Sequence, residues 1–229
     1  MTISAQLDFQ PTTLEHVKTD KTDLLACYGV SFTEDSSILL SCHREIRVHD
    51  STNMRSKTTA VMGEEEAVTA AVLVGDTLLV KLNSFTVNKY VTYVGSVEQP
   101  KYTVLHSEDS HNPNQLTYLS ANKDYIASID TVNNHLKVFL YTTREHLYDI
   151  QLTDMKSPCG VCLTGDAVLI TDMQGGTLSK YFLSSSQANP IWTCTGLLEP
   201  SGVTTDESGL IYVTELKSAH IHIISPEGE

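Results

Sequence analysis

The sequence from Pro200 to Gly228, PSGVTTDESGLIYVTELKSAHIHIISPEG, predicts three short strands separated by turns. Asp206 to Gly209 suits a tight turn, and Leu210 to Val213 is a run of β-branched and aromatic residues that favours a strand. A last apolar strand ends in a Ser-Pro-Glu-Gly turn. Because a unit of three strands cannot bury both of its faces, similar units should pack beside it.

Similar units do recur along the chain at a nearly constant spacing. Clear copies begin at Gly29 and Gly160, and two weaker copies begin near positions 69 and 117. The anchor positions of the five units are spaced by 40, 48, 43 and 42 residues; they are Gly29, Thr69, Thr117, Gly160 and Gly202. A period of this length is typical of four-stranded propeller blades.

The period predicts an all-β fold, a single β-propeller over residues 1–229. Five four-stranded antiparallel blades are expected, with six as the alternative. Residues 1–23 precede the first anchor, and Ile3 to Phe9 alternates apolar and polar side chains as a strand does. We expect an N-terminal strand to complete the last blade and close the ring, since closure removes exposed strand edges. The alternative is a partly disordered N-terminal tail.

The repeats resemble a known family. Gly-Val, then Asp…Gly, then Ile-Tyr-Val-Thr-Glu and a terminal Ser-Pro-Glu-Gly are similar to the NHL repeat, above all to the C-terminal propellers of tripartite-motif proteins. The resemblance is strongest for the units at Gly29, Gly160 and Gly202. It implies a non-catalytic module that binds a protein or peptide partner. It does not decide the function, because one fold hosts many activities.

Composition limits the partners. The 229 residues include 15 Lys and Arg against 28 Asp and Glu, a net charge of −13. Such a surface repels phosphate backbones, so nucleic acid is not an expected partner, and a basic partner is favoured. Five cysteines without regular spacing favour reduced thiols and a cytoplasmic location. No apolar run approaches the ~20 residues that span a membrane, and no signal segment is evident.

The candidate binding surface is one rim of the propeller, formed by the loops that follow the second strand of each blade. Three of the five positions that end these strands are acidic: Asp130, Asp172 and Glu215. Each carboxylate could cap its own loop. Together they could instead attract a cation or a basic peptide. Other polar residues predicted on this rim are Tyr28, His43, Arg44, Asn83, Asn134, Gln174 and Lys217.

Metal, redox and cofactor chemistry are not expected. Cys159-Gly160-Val161-Cys162 has the CxxC form but begins a predicted strand and has no second CxxC. His220 and His222 could share one face of a strand, yet no third ligand is evident. The sequence contains no phosphate-binding loop and no Gly-x-Ser-x-Gly motif.

Three functions remain open from the sequence. The first is a non-catalytic recognition module. The second is a multivalent lectin, although Trp192 is the only tryptophan and lies outside the repeated pattern. The third is a metal-dependent lyase or hydrolase, which needs histidines and carboxylates that converge on the channel. We expect the recognition module and no enzyme activity.

Overall fold

A computed structural model of the chain describes residues 27–32, 38–42, 45–49, 56–61, 66–84, 89–96, 103–109, 118–183 and 189–229. All of the regular structure among these residues is β-strand. The strands form five antiparallel sheets, which we number in chain order. The predicted all-β class and the predicted four-stranded antiparallel sheets are confirmed.

Four of the sheets have four strands each, and every strand pairs with the one that follows it in the chain. Sheet 1 contains β1 (Cys27–Phe32), β2 (Ile38–Cys42), β3 (Glu45–His49) and β4 (Ser56–Val61). Sheet 2 contains β5 (Glu66–Val74), β6 (Thr77–Ser84), β7 (Lys89–Ser96) and β8 (Thr103–Asp109). Sheet 3 contains β9 (Leu119–Ala121), β10 (Tyr125–Asp130), β11 (His135–Leu140) and β12 (His146–Gln151). Sheet 4 contains β13 (Pro158–Thr164), β14 (Ala167–Asp172), β15 (Thr177–Phe182) and β16 (Trp192–Thr195).

Sheet 5 is built from the stretch that shows the repeat most clearly. Its three strands are β17 (Pro200–Thr205), β18 (Ile211–Glu215) and β19 (Ile221–Ile224). They match the three strands predicted from the sequence. The second strand begins at Ile211 and ends at Glu215, so the acidic residue is the last residue of the strand.

The anchor positions coincide with a break in strand pairing. In the first strand of four sheets, the register shifts between Cys27 and Gly29, Val68 and Ala70, Pro158 and Val161, and Pro200 and Val203. A bulge of this kind bends a strand and increases its twist. The repeated Gly or Thr therefore marks the place where these four first strands bend.

Four clusters of buried side chains fill the spaces between successive sheets. Leu39 and Val68 belong to the cluster between sheets 1 and 2, and Leu79 and Ile126 to the cluster between sheets 2 and 3. The cluster between sheets 3 and 4 contains Ile129 and Val168, and the cluster between sheets 4 and 5 contains Leu169 and Val213. Successive first strands also pack side by side, from β1 and β5 through to β13 and β17.

The second strand of an inner sheet is buried on both faces. In β14, Val168 and Ile170 point toward sheet 3, whereas Leu169 points toward sheet 5. All six residues of β14 are buried. This explains why Ala167 to Ile170 reads as an unbroken apolar run instead of an alternating one.

Sheet 5 is buried on only one face by the residues that the structure describes. Ile211, Val213 and Ile224 pack toward sheet 4, while Ile221 and Ile223 on the other face are 66% and 43% exposed. The predicted closing strand lies within residues 1–23, outside the described part of the chain. Ring closure by that segment, and the choice between five and six blades, therefore stay predictions.

Candidate functional site

The three predicted carboxylates occupy equivalent positions. Asp130, Asp172 and Glu215 are the last residues of β10, β14 and β18, the second strands of sheets 3, 4 and 5. All three side chains are buried. Asp172 and Glu215 each lie where the turn to the third strand meets the connection that enters the first strand of the same sheet.

Asp172 ties two backbone segments together. Its Oδ1 accepts hydrogen bonds from the N–H groups of Ser157, at 2.8 Å, and Gly175, at 3.0 Å. Its Oδ2 accepts a third, from the N–H of Lys156 at 2.7 Å. Gly175 belongs to the turn after β14, and Lys156 and Ser157 precede β13. One buried carboxylate thus satisfies three backbone donors, as a buried charge requires.

Glu215 makes the equivalent connection in sheet 5. Its Oε1 accepts from the N–H of Leu198 at 2.6 Å, and its Oε2 accepts from the hydroxyl of Ser218 and lies 3.0 Å from Nε2 of His222. The hydrogen bond from Ser218, followed by the one from Leu198, lowers the pKa of Glu215 below its usual value. The carboxylate is therefore ionised at neutral pH.

Asp130 holds the turn after β10. Its Oδ1 accepts from the N–H groups of Val132 and Asn133, and its Oδ2 accepts from Nδ2 of Asn133 and lies 3.6 Å from Nζ of Lys137. Burial alone would raise the pKa of Asp130. The hydrogen bonds and the positive charge of Lys137 outweigh burial, so the pKa is lowered.

These hydrogen bonds show the structural role of the carboxylates, which is to cap the loops around them. That was the structural interpretation weighed for each of them in the sequence. Direct contact between these oxygens and a ligand would compete with the hydrogen bonds already present. Their role in ligand binding stays a prediction.

The loops that the carboxylates hold form one edge of the described sheets, which we call the clamp rim. It comprises residues 131–134, 152–157, 173–176, 196–199 and 216–220. Backbone hydrogen bonds join its segments in pairs, from Leu152 N to Asn134 O, from Leu197 N to Gly176 O and from Leu216 N to Glu199 O. The rim is therefore a rigid surface, and rigid loops on a scaffold are a common location for binding residues.

Three of the predicted polar residues are described on the clamp rim. Asn134 donates from Nδ2 to the carbonyl of Met155, Gln174 is exposed, and Lys217 is 67% exposed and 4.0 Å from Glu199. His43 and Arg44 fall outside the described residues. Tyr28 and Asn83 lie in β1 and β6, and only their backbone is described. Ligand binding by these seven residues stays a prediction.

The sequence reading missed two rim residues, Leu198 and Leu216. Their side chains are 51% and 53% exposed. They lie on two neighbouring segments of the rim, because Leu198 N donates to the Glu215 side chain and Leu216 N donates to the carbonyl of Glu199. The available signal is a large apolar residue in a predicted turn, but the sequence does not show whether packing around the turn buries it.

The remaining candidates have structural surroundings. Burial raises the pKa of both Cys159 and Cys162, which keeps these thiols protonated. His220 precedes β19, whereas His222 lies within the strand and contacts Glu215. The described residues contain no group of three or more His, Cys, Asp or Glu side chains placed to hold a metal ion. They also include no helix with the length and apolar character needed to cross a membrane.

Trp192 bears on the lectin hypothesis because sugar sites often use exposed aromatic rings. Its ring lies against the C-terminal turn so closely that a Cβ on Gly228 would be 2.7 Å from it. It also packs against the apolar cluster between sheets 4 and 5. The ring is therefore engaged within the protein on the side that meets Gly228.

Comparison with solved structures identifies the architecture. A protein of unknown function from Bacteroides caccae matches with a TM-score of 0.64 and 13% identity, over 88% of this chain and 78% of that one. A chain of the mitotic checkpoint complex matches with a TM-score of 0.62 and 15% identity, and U3-55K with 0.61 and 14%; both alignments cover 86% of this chain. The fold is a β-propeller.

The propeller spans 61% of the length of the mitotic checkpoint and U3-55K chains that it matches. Identities this low establish the fold alone. No protein-family model matches the chain, and no curated protein matches it. The predicted propeller is thus confirmed, while its assignment to the NHL repeat stays a hypothesis.

Proposed function

We propose that this propeller is a non-catalytic recognition module that binds a protein or peptide partner through the clamp rim. The observation that carries the proposal is the pair of exposed leucines, Leu198 and Leu216, on a rim whose backbone is fixed by buried Glu215. Apolar side chains held on a rigid surface lose little conformational freedom when a partner covers them. Such side chains are frequent centres of protein interfaces.

The charges around the two leucines suit a partner of mixed polarity. The exposed charged residues of the described clamp rim are Asp154, Lys156, Glu199 and Lys217, two of each sign. With Asp130, Asp172 and Glu215 buried, this rim presents an apolar patch with a polar surround, which is the anatomy of an ordinary protein interface. In this proposal the buried carboxylates act as positioning residues that shape the rim.

Two further considerations support a partner-binding role of the NHL type. The repeat pattern resembles the propellers that select partners in tripartite-motif proteins. One similar solved structure belongs to the mitotic checkpoint complex, an assembly of proteins. Neither consideration names a partner for this chain.

The test replaces both leucines in the full chain, as Leu198→Ser with Leu216→Ser, and compares proteins retained by the immobilised variant and by the unmodified chain. The matched control is Phe182→Ser with Ile191→Ser, two apolar residues that are 49% and 41% exposed outside the clamp rim. We expect the retained amount of at least one partner to fall about tenfold or more with the rim variant, a typical effect for central interface residues. The control variant should retain the same amount as the unmodified chain.

Two results would overturn the proposal. One is an identical set of retained proteins, at equal amounts, for the unmodified chain and both variants. The other is saturable binding to a single sugar class on a glycan array that the rim variant leaves unchanged, which would favour a lectin. Circular dichroism of each variant must first show the same strand content as the unmodified chain.

A further inference from the structure

A second surface lies at the opposite end of the strands, where the first strand of each sheet turns into the second. β14 is six residues long, so its two ends are about 20 Å apart, and this surface is separate from the clamp rim. The described turns all carry exposed carboxylates. These are Asp76 after β5, Asp124 after β9, Asp166 after β13, and Asp206 and Glu207 after β17.

A groove of about 460 Å³ opens among three of these turns. Its apolar lining comprises Val72, Leu73, Val74 and Ala121, from the ends of β5 and β9. Val72 and Ala121 pack on the cluster between sheets 2 and 3 and form the apolar floor, whereas Leu73 packs on the cluster between sheets 1 and 2. Asn122, Lys123, Asp124 and Gly165 complete the lining, so the groove draws on sheets 2, 3 and 4. Asp76 follows Val74 by two residues, and Asp166 follows Gly165 directly.

The walls of the groove are held in place by hydrogen bonds. Oδ1 of Asn122 accepts from the N–H groups of Asp124 and Tyr125, which fixes the turn between β9 and β10. Tyr141 N donates to the carbonyl of Asp124, and the Tyr141 hydroxyl donates to the carbonyl of Val74. One side chain therefore connects two walls. A groove with a fixed shape can bind without the cost of ordering its loops.

The charge around the groove is unbalanced. Asp124 lines the groove, Asp76 and Asp166 lie in the turns that contain or follow its lining residues Gly165 and Val74, and all three acids are exposed; Lys123 is the one cationic residue in the lining. Carboxylates in three turns beside the groove would attract Lys and Arg side chains, and the floor residues would cover one apolar side chain. The apolar floor and the acidic turns therefore favour a ligand with apolar and cationic side chains over a small anion or an acidic peptide.

We infer that this groove docks a basic peptide segment of a partner protein, with one aliphatic or aromatic side chain on the floor and Lys or Arg side chains against Asp76, Asp124 and Asp166. The site is independent of the clamp rim and could be occupied at the same time. A chain with both sites would bring two partners, or two parts of one partner, to opposite ends of its strands.

The experiment uses the full chain and an array of 12-residue synthetic peptides that vary the number of Lys and Arg residues and carry either Leu or Ser at the centre. We expect binding to increase with positive charge only for the Leu series, and to weaken with added salt because exposed charges are screened within ~10 Å at 0.1 M. For the tightest peptide, Asp76→Asn with Asp124→Asn and Asp166→Asn should weaken binding about tenfold or more.

The matched control removes three exposed carboxylates outside the groove lining and the clamp rim, as Glu207→Gln with Glu227→Gln and Glu229→Gln. Its expected effect on peptide affinity is under about twofold. The Leu198→Ser and Leu216→Ser variant should also leave peptide binding unchanged, which separates this site from the clamp rim.

Three outcomes would refute the inference. The first is selection of peptides that lack positive charge. The second is an equal loss of affinity in the groove variant and the charge control, which would indicate a general attraction to an acidic protein. The third is loss of binding in the clamp-rim variant alone, which would place the peptide at the other end of the strands. Because Asn suits these turns, thermal unfolding should show all variants folded.

Discussion

At the scale of single residues, Asp130, Asp172 and Glu215 show how a polar residue becomes part of a core. Each ends a second strand; Asp130 and Asp172 each accept three hydrogen bonds from the loops around them, and Glu215 accepts two and contacts His222. An apolar residue at these positions would leave one to three backbone N–H groups without acceptors, at about 1–3 kcal/mol each. A carboxylate suits this position because it accepts hydrogen bonds from the donors that face it.

Asp130 should make the stability of the propeller depend on pH. Its pKa is lowered in the folded protein, so its contribution is present above the unfolded pKa, near 4, and is lost as the pH falls through the folded value. We expect the free energy of unfolding, measured in urea, to fall below about pH 4. Asp130→Asn should cost about 1–2 kcal/mol at pH 7 and flatten that dependence.

The exposed Asp154 provides the comparison. Asp154→Asn should change the free energy of unfolding by less than about 0.5 kcal/mol at pH 7 and keep the acid dependence. Equal pH profiles for Asp130→Asn and the unmodified chain would show that the Asp130 carboxylate does not couple protonation to folding.

At the scale of strands and sheets, a polar side chain near the end of a second strand bonds to the first strand of its own sheet or to the next sheet. Thr171 Oγ1 accepts from the N–H of Gly160, at 2.9 Å, and donates to the carbonyl of Ser201 in the next sheet, at 2.7 Å. Thr214 Oγ1 likewise accepts from the N–H of Gly202. In sheet 2 the equivalent position is Lys81, whose buried Nζ donates to the carbonyl of Ile129 in sheet 3.

Gly160 permits this close approach of two sheets, so Gly160→Ala should disrupt it. A Cβ at that position would lie 2.0 Å from the carbonyl oxygen of Ser201 and 2.6 Å from Thr171 Oγ1. The backbones of β13 and β17 would have to separate, at an expected cost of about 2–3 kcal/mol in the free energy of unfolding. Denaturant unfolding, followed by circular dichroism, measures this change in the free energy of unfolding.

A second glycine of sheet 4 gives a control for this effect. Gly165 has a φ of 60° but nothing within 4 Å of an added Cβ. Asn tolerates this conformation, so Gly165→Asn should cost clearly less than Gly160→Ala. If the two variants were equally stable, crowding between β13 and β17 would not be the reason for glycine at position 160.

At the scale of the whole molecule, the three-stranded sheet 5, in which β19 is an edge strand among the described residues, bears on how the ring closes. We predict that a strand from residues 1–23 completes this sheet beside β19. Deleting these residues should accelerate amide hydrogen exchange in Ile221–Ile224 by about tenfold or more, because an edge strand opens more readily than a paired one. Amides of β14, covered on both faces, should keep their protection relative to global unfolding. Unchanged exchange in β19 would exclude this closure.

The sequence predicted the features that repeat. The period of the anchors located the five sheets, and the acidic ends of three second strands were identified by counting from those anchors. It could not show that Asp172 and Glu215 are buried, because their burial depends on a segment that approaches from 15 to 17 residues away in sequence. Leu198 and Leu216 were missed for the same reason, since exposure is set by packing around the turn.

The contact between Gly228 and Trp192 provides an optical reporter. The 229 residues contain a single tryptophan, so their tryptophan fluorescence comes from one indole, and one side of that indole meets the turn at Gly228. Detachment of this turn would expose the ring to water and shift its emission to longer wavelength. An ordinary fluorimeter could therefore follow how firmly the turn is held against sheet 4, without any added dye.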